Sequence, residues 1–308
     1  SMGSSMESTM GSSMESTMGS SMESTSGSAM DSSTGSAMES TMSGQGETAA
    51  TASATPAAEL RATLTGLLED HVYLAGLAIH AALVDGGDLQ KPAAKAAVAA
   101  LDANSVALSK AIGSAYPDAE KPFLDSWRQH IGFFVDYTLG KATKDEAKVA
   151  KAKSDLDGYR TSFGQLINSV VPELPADAVA QELVPHVASL LAAIDAQVAD
   201  SPDQFSLLAT AAGHMPMTAD VLAGGIAMNK GLEGDVDSDA SALRSGLTAL
   251  LDEHVWLAGI AIDATLSVKG DLADPLSKAA VAALDANSVA LSKAVGGAYP
   301  DAEQPFLD

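Results

Sequence analysis

The chain has no cysteine, few aromatic residues and few cations, and each shortage narrows what it does. Without cysteine there are no disulfides, no thiolate metal sites and no cysteine nucleophile. The compartment stays open on that ground, since a cysteine-free protein suits either side of a membrane. Aromatics are only 4% of the sequence. The apolar set is mostly Ala, Leu, Val and Ile, which suits close packing of helices better than a sheet. Lys and Arg number 17 against 40 Asp and Glu, a formal charge of −23. Nucleic acid and anionic membrane surfaces repel such a chain, whereas cations are drawn to it. No stretch reaches about 18 uncharged apolar residues, so no membrane-spanning helix is predicted. No signal peptide is visible. The first residue, Ser1, falls inside a repeat, so the N-terminus reads as a processed end and an extracytoplasmic location is the expectation.

Residues 1–46 repeat an octad of the type Gly-Ser-Ser-Met-Glu-Ser-Thr-Met. Met6, Met14, Met22, Met30 and Met38 hold its fourth place, each followed by an acid, and Met10, Met18 and Met42 hold the eighth. Gly and Ser at this density bury too little surface to offset backbone entropy, which predicts a disordered tail. Thioethers are soft donors that favour Cu(I), so the tract suits loose copper capture. A flexible spacer and a sacrificial oxidation site are the alternatives. A Thr/Ala-rich linker, residues 47–56, follows.

From Leu60 the pattern turns helical. Leu60, Leu64, Leu67, His71, Leu74 and Ala78 recur at three- and four-residue steps and form one apolar stripe. Gly86-Gly87 stops this helix, and Pro92 and Pro117 start the second and third. A fourth runs from the Lys-rich stretch Lys141–Lys153 to Val171-Pro172, a fifth follows Leu174-Pro175, and a sixth follows Ser201-Pro202. Then the pattern restarts. Leu60-Arg61 returns as Leu243-Arg244 and His71 as His254, an offset of 183 that holds without a gap to Leu307-Asp308. Lys95–Ala111 is identical to Lys278–Ala294. The expected fold is all-α: an antiparallel bundle of about six helices over residues 57–232, a linker at 233–240, and a second copy over 241–308 that holds only two helices. Two helices leave an apolar face uncovered, so Asp308 reads as a fragment edge. The first copy also carries a weaker internal echo, with an Asp-to-His spacing of 28 residues (Asp102 to His130) and then 29 (Asp157 to His186).

Four histidines, His71, His130, His186 and His214, sit in the apolar stripes of four different helices. Inward side chains at similar depth converge in a bundle, which is how bundles build metal sites. Imidazole is the commonest transition-metal ligand at neutral pH, and Met217, three residues after His214, adds a thioether. The competing interpretation has each imidazole buried and neutral, bonded to a neighbouring helix. Sharper alternatives fail. Leu68, Trp127, Leu183 and Ala211 stand three residues before the histidines, so the Glu-x-x-His of di-iron bundles is absent. No His-Glu-x-x-His, phosphate-binding glycine loop or nucleophile elbow occurs. An acid–base enzyme ranks last, because no carboxylate shares the histidine faces. His80 becomes Asp263 in the second copy and reads as a solvated residue. Asp70 and Glu253, each preceding a stripe histidine, are expected to tune the helix or pair with a lysine, being about 100° off the histidine's face. Asn104 and Asn287 are expected to bridge helices.

The pattern resembles a group of uncharacterised bacterial histidine-containing helical-bundle proteins. The matching features are Leu60-Arg61, Asp70-His71, His130, Pro172 before Leu174-Pro175, His186, and His214 through Asp220. Thr218 interrupts the last motif, and Pro216 is a second departure from it. The resemblance spans about residues 60–228 and implies the fold and the histidine set, with no established activity. The expectation is therefore a non-enzymatic metal-binding or metal-buffering protein for copper or zinc, with His71, His130, His186, His214 and Met217 as ligands. The alternative is a structural or adhesive surface protein of repeated bundles on a flexible stalk. Expected partners are metal ions and neighbouring repeats of the same chain.

Overall fold

Prolines and small polar caps set where the helices begin. In a computed structural model that describes residues 52–308, Thr55 caps α1 (Pro56–Val84) by accepting the Ala58 N–H. The octad tract and most of the linker after it lie outside the described residues. Pro92 opens α2 (Pro92–Ala115) and Pro117 opens α3 (Pro117–Thr143), where a missing N–H costs nothing. Asp145 caps α4 (Glu146–Val170), and α5 (Ala176–Val198) follows Pro175. Next come α6 (Gln204–Ala212), α7 (Met215–Lys230), α8 (Asp239–Ser267), α9 (Pro275–Ala298) and a short α10 (Glu303–Leu307). The described residues are all-helical and contain no strand.

The sixth expected helix is two. Gly213 and His214 break it, and Pro216 begins a new helix instead of kinking an old one, since a proline in the first turn removes no helical hydrogen bond.

Consecutive helices pack against one another from α1 to α6, and α7 returns onto α1. α1 therefore lies at the centre, touching α2, α3, α5, α6, α7 and α8. This explains its composition. By length and apolarity α1 contains a stretch sufficient to cross a membrane, although Glu59, Arg61, Glu69 and Asp70 keep its uncharged runs short of about 18 residues, and 56% of that stretch is buried among its neighbours.

Close approach of α4 and α5 depends on Gly164, where a Cβ would run into the Ala176 carbonyl. Gly→Ala inside a helix ordinarily stabilises by about 1 kcal/mol, as it should at Gly158, where a Cβ meets nothing. At Gly164 the obstacle is backbone and cannot rotate away. Gly164→Ala is expected to destabilise by about 1–3 kcal/mol while Gly158→Ala stabilises, read as opposite shifts of the urea midpoint.

α8 runs alongside α1, and the contacts between them exchange under the 183-residue offset. Arg61 donates to the Val236 carbonyl and Arg244 to the Ser53 carbonyl, both at 2.7 Å. Tyr73 donates its hydroxyl to Glu253 at 3.0 Å, and Trp256, its counterpart, donates to Asp70 at 2.7 Å. The Tyr73 and Trp256 rings stack on each other, with centroids 6.1 Å apart. Reciprocity of this kind marks a two-fold contact. It also corrects the lysine expectation for Asp70 and Glu253: Asp70 accepts from the Trp256 ring N–H, and Glu253 accepts from the Tyr73 hydroxyl and, at 2.8 Å, from the Asn287 amide of α9.

The exposed face of α8 contrasts with that of α1. Val255 and Ile262 are 71% and 62% exposed, whereas Val72 and Ile79, one offset earlier, are 0% and 6%.

Candidate functional site: a buried histidine cluster

Four helices bring aromatic and imidazole rings to one level of the bundle. α1 supplies His71, α3 supplies Trp127, His130 and Phe134, α4 supplies Tyr159 and Phe163, and α5 supplies His186. Each lies on its helix's apolar stripe, so burying the stripe draws the ring inward. His71, His130 and His186 are 1%, 3% and 5% exposed.

His71 and His130 meet directly, with Nε2 atoms 3.2 Å apart. The Trp127 indole N–H donates to His71 Nδ1 at 3.3 Å. An indole nitrogen only donates, so neutral His71 carries its proton on Nε2 and donates it to His130 Nε2. His130 then holds its own proton on Nδ1, which closes no full hydrogen bond and has only the Trp127 carbonyl as a favourable neighbour. Around this pair, Tyr159 stacks on His130 at a centroid distance of 4.7 Å, and Trp127 meets it edge-on at 4.6 Å. Phe134 stands edge-on between His130 and His186, 6.1 and 6.4 Å from them.

His186 lies on the far side of a cavity of about 20 Å³ that His130, Tyr159, Met215 and Thr218 also line. A water needs about 10–15 Å³ on the same measure, so this space takes one water or one ion. His186 Nδ1, like that of His130, closes no full hydrogen bond.

All three imidazoles are held neutral. Burial, reinforced by the His186 ring, pushes His71 down to about 3. Burial pushes His186 down to about 4, against the favourable Ala211 carbonyl and with His214 adding to the depression. His130 falls well below the ordinary imidazole value through burial and then its two histidine neighbours. Each ring therefore keeps one unprotonated nitrogen at neutral pH, the form that ligates metals. The 3.2 Å separation of the two Nε2 atoms also lies close to the span of two imidazoles on one tetrahedral ion. Bonds of about 2.0–2.1 Å place such nitrogens about 3.3 Å apart. Among the described residues no three His, Asp or Glu side chains stand together at ligand distance of one point, so a third ligand has to move to complete a shell.

The remaining expected residues lie elsewhere. His214 is half-buried at the α6–α7 break, near Glu182 and His186. Met217 is 56% exposed, while Met215 is 2% exposed and lines the cavity. The break explains the exchange: spacing counted along one continuous helix does not carry across Gly213-His214. The signal that finds Met215 is Pro216, which as a helix-start residue puts Met215 at the first helical position. Tyr159 went unnoticed because nothing marks its stripe apart from an ordinary core stripe.

His254 shows the cluster's first element without the rest. Its Nδ1 lies 3.1 Å from Asn287 Oδ1. Asn104, the counterpart of Asn287, bridges α2 to α1 as expected by donating to the Leu67 carbonyl at 3.0 Å. Its Oδ1 is buried without a partner, since His71 accepts from Trp127 instead. Compared with protein-family models, with curated proteins and with solved structures, the chain matches none of them.

Proposed function

We propose that this chain is a non-enzymatic transition-metal-binding protein, an extracytoplasmic copper buffer built from tandem helical-bundle repeats. The observation that carries the proposal is the buried His71–His130 contact, with His186 and the Met215 thioether across a space large enough for one ion. Two neutral imidazoles and a thioether in an apolar surround suit Cu(I), a soft, singly charged ion, better than Zn(II), whose double charge raises the desolvation cost. His214 at the rim and exposed Met217 supply outer donors along the way in, and the methionine octads capture ions loosely.

Binding between the two Nε2 atoms requires His71 to move its proton from Nε2 to Nδ1, which ends its acceptance from the Trp127 indole. Trp127 therefore reports occupancy. In the full chain carrying Trp256→Phe, one equivalent of Cu(I) is expected to quench Trp127 emission, and His130→Ala should weaken that binding at least tenfold against a chromophoric Cu(I) chelator. Copper retained equally by His130→Ala and by His71→Ala would remove the buried cluster from consideration.

The reciprocal α1–α8 contact favours a second reading, a structural surface protein whose repeats pair two-fold. A chain that binds neither Cu(I) nor Zn(II) more tightly than its urea-unfolded form supports that reading.

A further inference from the structure

A second cavity, distinct from the small one between His130 and His186, opens beside His71. It measures about 90 Å³ and lies between α1, α2, α3 and α5, with Ala75 and Ala78 on one wall and Leu101, Ile131, Phe134 and Leu190 opposite. Val98, 37% exposed, stands where it meets the surface.

Only two lining residues carry polar side-chain atoms, and both are already engaged. Thr138 donates its hydroxyl to the Phe134 carbonyl at 2.8 Å. His71 uses one nitrogen with Trp127 and the other with His130. A water in this space would find none of the two to four partners it requires, so the cavity stays dry.

The void follows from small side chains that the sequence keeps twice. Ala75 and Ala78 recur as Ala258 and Ala261, and Val98 and Leu101 recur as Val281 and Leu284. Of the eight wall residues from α1, α2 and the turn between them, only Ala82 changes at its counterpart, to Thr265. Some positions outside the wall differ, His80 against Asp263, Val84 against Ser267 and Gln90 against Ala273, whereas Lys95–Ala111, which carries Val98 and Leu101, is retained whole. An unfilled core forfeits dispersion contacts, and a single leucine in place of Ala78 would fill it.

We infer that this cavity is a binding site for small, uncharged, apolar molecules of the size of dioxygen or xenon, admitted past Val98 to the edge of the His71 ring. The size sets the class. A dry cavity of about 150 Å³ accepts benzene or xenon, and one of about 90 Å³ takes the smaller of the two. Ions are excluded by the absence of any free polar atom, and because His71 lines this cavity as well as the histidine cluster, the two sites are separated by working with metal-free protein.

The test uses metal-free full-length protein and xenon as the probe, followed by 129Xe NMR and by methyl shifts of the protein. A saturable xenon response is expected, with perturbations centred on the methyl groups of Ala75, Ala78, Leu101 and Ile131. Ala78→Leu is expected to weaken it at least tenfold, and Ala82→Leu serves on the same wall if the first variant does not fold. A response that rises only linearly with xenon pressure, or methyl shifts centred elsewhere, overturns the inference. So does equal binding by a folded cavity-filling variant. Copper titration has no bearing on any of these outcomes.

Discussion

Trp127→Ala is expected to be the most damaging single substitution in the protein. The indole is 5% exposed, stacks on Phe123 with centroids 5.2 Å apart, and packs against Phe163, His71 and His130. Removing a buried tryptophan costs about 3–5 kcal/mol, through lost transfer energy and the cavity left behind. Leaving His71 Nδ1 without its donor adds about 1–3 kcal/mol. At about 2–4 °C per kcal/mol for a domain of this size, Tm falls by roughly 10 °C or more. Trp127→Phe helps to separate the two contributions, because it removes the N–H while keeping one aromatic ring in the packed site, so it should cost less. Thermal melts of both variants decide the matter. An alanine variant within two or so degrees of wild type would show that these rings do not hold the core.

The pH dependence of stability should be equally large, with a maximum at about pH 6.5–7, where the histidine and Glu69 slopes cancel. In the unfolded chain the three histidines take up protons near pH 6.5. The folded chain refuses them, since His71 and His186 lie at about 3 and about 4 and His130 is depressed as well. The unfolded state thus binds more protons as pH falls from about 6.5 towards 4, and stability drops over that window. Each histidine contributes a slope of about 1.4 kcal/mol per pH unit. Three together reach roughly 4 kcal/mol per unit, enough to unfold the protein in mild acid.

Glu69 acts in the opposite sense. Burial, followed by the nearby Glu253, Asp252 and Asp70 carboxylates, raises it to about 8, so the folded chain keeps a proton that the unfolded chain releases near 4.5. Stability therefore declines as pH rises from about 4.5 to 8, at one proton's slope. Below pH 6.5 the three histidines outweigh this single group; above it Glu69 acts alone. Urea midpoints of metal-free protein between pH 4 and 9 should trace the maximum. Glu69→Gln, which cannot ionise, should flatten the alkaline limb and leave the acid limb unchanged. A profile flat from pH 8 down to 4.5 would mean the histidines are hydrated in the folded chain.

Helix order was legible because its signals are local. Pro92, Pro117 and Pro175, the Gly86-Gly87 stop and the Leu/His stripes each act within one or two turns, and the observed helices begin and end at or beside them. His71, His130 and His186 were assigned inward from stripe position alone, and all three are buried. The same counting failed at Met217, because it assumed one helix across Gly213, and at Asp70 and Glu253, which accept from Trp256 and Tyr73 of the helix 183 residues away.

By itself the sequence determined the helical class, the 183-residue recurrence and which faces are apolar, since periodicity and capping are properties of short segments. Depth and distance belong to the tertiary structure alone. Packing order placed His130 rather than His186 against His71, gave Trp127 rather than Asn104 the His71 nitrogen, and put Met215 in place of Met217 beside the small cavity. Those choices depend on which ridges of α1, α3, α4 and α5 interlock at one level, a relation between residues far apart in the chain that no local pattern encodes.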